Sequence, residues 1–144
     1  MMQTRSLLGA LAVIATIAVP AQAQWTYLGR TDDMTTGAPV EHFGKVMSGS
    51  MGEGGLYVVR VDYPADQLTF DDGKAYRVDY QVFSIHCGDG AMSLLWVEHA
   101  TAGGDIVGRS SMGRRGLEVT ANGLPGSSIL GKLLRMACPS WSGR

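Results

Sequence analysis

The residues able to do chemistry in this chain are three histidines (His42, His86, His99), two cysteines (Cys87, Cys138), the strand carboxylate Glu98, the acidic pair Asp71-Asp72 and the arginine pair Arg114-Arg115 between glycines. Imidazoles act as general bases or metal ligands, yet none of the three sits in a recognised motif. His86 and His99 fall near opposite ends of the hairpin expected around Gly88-Asp89-Gly90, which keeps them apart and argues against a zinc site. Glu98 has no second carboxylate placed for glycoside chemistry, and no Gly-x-Ser-x-Gly turn lifts a serine above a sheet. The Gly-rich run from Ser48 to Gly55 lacks the Gly-Lys-Ser/Thr ending and the following helix that phosphate cradling requires, so it reads as a loop. Calcium takes six or more oxygens, and Asp71 and Asp72 supply too few, so they read as the tip of a turn. No catalytic residue, cofactor or metal is expected.

The N-terminus bounds the compartment. Met1 to Arg5 is a short positive leader, Leu7 to Val19 is apolar or small apart from Thr16, and Pro20-Ala21-Gln22-Ala23 ends in a small-x-small pattern. Thirteen helical residues would span about 20 Å against the roughly 30 Å hydrocarbon core. A cleaved signal peptide over residues 1–23 is therefore expected, rather than a transmembrane anchor, and no cysteine stands there for lipid attachment. Taking 23 residues from 144 leaves 121, one domain over residues 24–144, with 11 basic and 13 acidic residues once Arg5 is removed. That mild negative balance gives no electrostatic reason to expect nucleic-acid binding. A periplasmic or secreted, surface-facing location follows, and two cysteines exported to an oxidising compartment favour a disulfide over a metal site or a reactive pair.

The elements that must position these residues read as α+β. Val78 to Cys87 is the expected core strand. Val78, Tyr80 and Val82 lie on one face and Phe83, Ile85 and Cys87 on the other, which suggests a bulge near Val82. Gly88-Asp89-Gly90 returns the chain into Ala91 to His99 as a hairpin. Trp25 and Tyr27 share a face of a short first strand, with Trp25 as a core plug. Leu56 to Tyr63 is a strand ended by Pro64, followed by a polar turn over residues 65–75. Residues 31–55 read as a mobile connection around one apolar piece, Phe43 to Met47. Ile106 to Met112 and Leu117 to Thr120 extend a meander of about five to six antiparallel strands. The period then changes: Ser127 or Ser128 caps a helix whose Ile129, Leu130, Leu133, Leu134 and Ala137 form one apolar face, with Lys132 and Arg135 opposite. A Cys87–Cys138 bond would pin that helix to the sheet.

From about Tyr76 to Cys138 the order runs strand ending in cysteine, hairpin, glycine turn with Asp105-Ile106-Val107, Leu124-Pro125-Gly126-Ser127, amphipathic helix and second cysteine. This order resembles the surface-adhesin protein E family, small exported bacterial domains in which a helix packs on an antiparallel sheet and two cysteines bridge them. Trp25 matches that family's early tryptophan, while residues 31–75 match it poorly. The resemblance implies a non-catalytic binding module for a host matrix or envelope protein. Binding is expected in loops, chiefly residues 31–55 and 113–116, with Arg114 and Arg115 as basic contacts. The competing expectation is a small exported enzyme inhibitor of the lysozyme-inhibitor type. Titration of the unfolded, unreduced protein with a thiol reagent should find no free thiol; two reactive thiols per chain would contradict the bridge.

Overall fold

The structure, a computed structural model, describes residues 24–50, 53–113, 116–119 and 124–141. The expected signal peptide, Arg114 and Arg115 lie outside the described residues. The chain forms β1 (Thr26–Asp32), β2 (Pro39–Ser50), β3 (Gly54–Leu68), β4 (Ala75–His86), β5 (Ala91–Ala100), β6 (Ile106–Ser111), β7 (Leu117–Val119) and the helix α1 (Ile129–Ala137). Six strands stand side by side in chain order, and every pair is antiparallel. The α+β architecture with its C-terminal helix is as the sequence implies.

Three expectations are corrected. Much of the 31–55 stretch is strand: β2 pairs with β1 along one edge and β3 along the other, so Ser48 to Ser50 end one strand and Gly54 and Gly55 begin the next. Pro64 does not end β3. The register shifts between Asp62 and Gln67, and within that irregularity a residue without an N–H leaves no ladder bond unmade. Arg77 fastens the segment by donating to the Tyr63 and Pro64 carbonyls at 3.2 and 3.0 Å. Finally, β7 does not follow β6 in the meander. Both lie against β5, with β6 on Trp96–Ala100 and β7 on Met92–Leu94.

The irregularity expected near Val82 is present, but its extra residue is Leu95 on the partner strand. Val82 pairs with Trp96 and Phe83 with Leu94. β4 itself alternates regularly, and both faces are buried at that point, with Val82 on one side and Phe83 and Ile85 on the other. The second face carries the core, where Tyr57, Val59, Val61, Phe83, Ile85 and Met92 meet Leu28 and the helix residues Leu133, Leu134 and Ala137.

The helix begins where Ser128 accepts the Gly131 N–H through its hydroxyl at 3.0 Å. At nine residues it is shorter than the roughly 12–15 that an isolated helix needs in water, so tertiary contacts hold it. It lies across β1 and β2. Cys138, which caps its C-terminal end, bonds Cys87 just past β4, with an S–S distance of 1.97 Å. Beyond the bond, Trp141 covers Gly90, where a Cβ would meet the indole at 2.5 Å and where φ is +68°. Glycine alone suits both the space and the backbone at that turn. Leu133→Ala should cost about 2–5 kcal/mol in a denaturant titration, while Lys132→Ala should change stability by less than roughly 0.5 kcal/mol. Equal small effects would contradict the packing of this helix on the sheet.

Candidate functional site

The helix occupies one face, and no element among the described residues packs on the other, where neighbouring side chains shield Val58 and Val82. Cross-strand pairing places the residues of that face next to one another. Phe43 stands opposite Arg60, Arg60 opposite Tyr80, Lys45 opposite Val58, Val58 opposite Val82 and Val82 opposite Trp96. Glu98 lies between Tyr80 and Arg109. Of these, Lys45, Val58, Tyr80, Val82, Trp96 and Glu98 line, with Trp25, a groove of about 460 Å³ that Arg60 and Arg109 flank. Trp25 is thus not a plug of the helix-side core. Half-buried, it borders this groove, 6.3 Å from the Tyr80 ring.

The cations of this face sit over rings. The Arg60 guanidinium lies 4.4 Å from the Phe43 centroid and 5.0 Å from that of Trp25, and it grips Asp62 through two hydrogen bonds at 3.0 and 3.2 Å. Arg109 lies 4.8 Å from the Trp96 centroid and 3.8 Å from Glu98. The Lys45 ammonium is 5.6 Å from Trp25 and forms no ion pair among the described residues. Stacking of this kind fixes long side chains that would otherwise be mobile. Tyr27 donates to Glu41 at 2.6 Å and stacks on Phe43, extending the ordered surface to β1.

The histidines part company, as the hairpin geometry requires. His86 is exposed at the turn and lies 3.0 Å from Asp89. His99 is largely buried at the other end of β5, on the helix-side face beyond the reach of the helix, with Nδ1 2.5 Å from Asp79. Asp79 also accepts the Tyr63 hydroxyl at 2.9 Å, and the Tyr76 ring lies over His99 at 4.4 Å. Burial, reinforced by the Asp79 charge, pushes the Tyr63 phenol far up, so it stays a donor. His42 is half-buried, and its Nδ1 is sealed from solvent without a hydrogen-bond partner. No group of three or more metal-ligating side chains occurs among the described residues. At the acidic turn, Thr69 hydrogen-bonds Asp72, which also meets Lys74 at 3.4 Å and is held below the usual carboxylate range.

The open face was missed because its members are far apart in sequence. The one local signal was Arg60 alternating with Val59 and Val61, which places a cation opposite the core side. No protein-family model, curated protein or solved structure matches the chain.

Burial pushes the His42 imidazole below its ordinary value of 6.5. As the pH falls through that value the unfolded chain takes up the proton before the folded one, so stability declines from there toward the lower folded value. Denaturant titrations between about pH 8 and 5 should show that decline, and His42→Gln should flatten it. Identical slopes in the two proteins would contradict the burial of this ring.

Proposed function

We propose that the chain is an exported, non-catalytic binding module that engages a protein partner of the envelope or extracellular matrix through the open face of its sheet. The observation that carries this reading is the groove bordered by Trp25, Tyr80 and Trp96, with Arg60 and Arg109 stacked on its rings. Trp, Tyr and Arg are the residues on which interface energy concentrates. Arginines already fixed over rings and paired with Asp62 and Glu98 lose little further freedom on binding. The groove suits a partner segment whose aliphatic side chains enter over Val58 and Val82 while a carboxylate meets the Lys45 ammonium. The side chains of this face are broad rings and paired charges, which make contacts rather than break bonds.

Two further points support the export and adhesin-like parts of the reading. A Cys87–Cys138 disulfide belongs in an oxidising compartment, and no helix among the described residues is long and apolar enough to cross a membrane. The strand, hairpin and helix order from Tyr76 to Cys138 is that of the surface-adhesin protein E proteins, which the chain resembles. Residues 31–55 contribute to this surface through β2, whose Phe43 and Lys45 stand on the open face, rather than as a loop.

The test is binding of the purified protein to immobilised vitronectin and laminin, with lysozyme inhibition assayed in parallel. Trp96→Ala and Arg60→Ala should each weaken matrix-protein binding by about tenfold or more, and added salt should weaken it through the Lys45 contact. Binding indifferent to both substitutions would remove the open face as the site. Lysozyme inhibition without matrix binding would replace the reading with that of an enzyme inhibitor.

A further inference from the structure

We propose that the cleft between the β3–β4 turn and β6 is a second binding site, in which Nε2 of His99 accepts a hydrogen bond from a neutral, polyhydroxylated ligand of pyranoside size. The cleft holds about 310 Å³, and its lining includes Phe70, Asp71, Tyr76, His99, Gly108 and Ser110. It lies apart from the open-face groove, so its existence does not depend on the partner reading above.

The imidazole is oriented before any ligand arrives. One Asp79 oxygen accepts from Tyr63 and the other lies 2.5 Å from Nδ1, so the carboxylate takes its second hydrogen bond from the Nδ1–H. With Nδ1 carrying the proton of an uncharged imidazole, Nε2 is the acceptor. Tyr76 stacks on the ring and fixes its plane. Nε2 has no hydrogen bond among the described residues, and the side-chain atoms sealed from solvent without a partner are His42 Nδ1 and Tyr57 Oη. Nε2 therefore opens on solvent, and the part of His99 that reaches solvent lines this cleft. Access is kept by Gly108: a Cβ there would stand 3.4 Å from His99 Cδ2, the atom beside Nε2, and 3.3 Å from the Thr69 methyl.

The lining selects the ligand class. Acceptors predominate, from Nε2 and the Asp71 and Asp72 carboxylates. The cation of the lining, Arg109, lies over the Trp96 ring at 4.8 Å and 3.8 Å from Glu98, and Lys74 meets Asp72 at 3.4 Å. An anion would meet carboxylates with no free cation to offset them, whereas a ring carrying several hydroxyls donates to each acceptor. Such a ring also has a C–H face to lay against an aromatic side chain, and Phe70 is fully exposed at the lip of the cleft. The volume accommodates a small ligand of this kind.

The test uses the full disulfide-bonded chain, labelled for histidine side-chain nitrogen spectra, and four probes: the methyl pyranosides of glucose, galactose, mannose and N-acetylglucosamine. At least one should shift the His99 Nε2 and Cδ2–H signals saturably, with a dissociation constant in the millimolar range, and leave His86 unmoved. His99→Phe removes the acceptor, and Ser110→Leu crowds the cleft from an exposed position that the fold does not need. Each should weaken binding at least about tenfold while thermal unfolding of Ser110→Leu stays as in the parent. Silence of His99 toward all four probes, or retained affinity in either variant, would overturn the proposal.

Discussion

The bond between Cys87 and Cys138 joins the last turn of a nine-residue helix to the end of the strand at the centre of the sheet. A helix of that length has little stability of its own. Its position is set by the bond, by burial of Leu133, Leu134 and Ala137, and by Trp141 closing over Gly90 beside it. With the two cysteines 51 positions apart, closing the loop in the unfolded chain is worth about 4 kcal/mol in the chain-entropy picture, a large share of a small domain's net stability. The remaining architecture rests on that constraint, because it decides which face of the sheet is covered.

The two faces then have different physical work. Beneath the helix, Tyr57, Val59, Phe83, Ile85 and Met92 are removed from water. Farther along the same face, beyond the helix, the layer becomes polar, and Asp79 is buried with donors from both Tyr63 and His99. A buried carboxylate is tolerable when its oxygens are satisfied, and such a network fixes the side chains around it. The opposite face has no covering element among the described residues. Its aromatic residues are partly shielded by their own cations, an arrangement that keeps Trp25, Phe43 and Trp96 compatible with solvent.

Local signals made part of this legible. Gly88 to Gly90 between two alternating runs marks a hairpin, and apolar residues at helical spacing after Ser128 mark both the helix and its buried side. The cysteine pairing followed from there being two of them in a chain expected, from residues 1–23, to be exported. β2 was hidden because His42, Gly44, Gly49 and the charged Glu41 and Lys45 blur its alternation, and its strand character comes from two neighbours rather than from its own propensity. β3 continues past Pro64 because a register shift absorbs it, a device that no local rule announces. The partner of β7 is likewise a tertiary matter, since three residues pair wherever an edge is free. The open face is the extreme case: Trp25, Arg60 and Trp96 become neighbours only through registers set by four strands. The two expected contact arginines, Arg114 and Arg115, lie outside the described residues.

The central claim is that the disulfide-held helix covers one face so that the other is left to bind. Cross-saturation from a bound matrix protein to the isotope-labelled chain addresses it most directly, since it reports contact residue by residue without altering the protein. The account predicts that the signals of Trp25, Lys45, Tyr80 and Trp96 are attenuated while those of Val59, Phe83, Ile85 and Leu133 are not. Attenuation centred on the helix or confined to the turns, with the open-face signals unchanged, would contradict it.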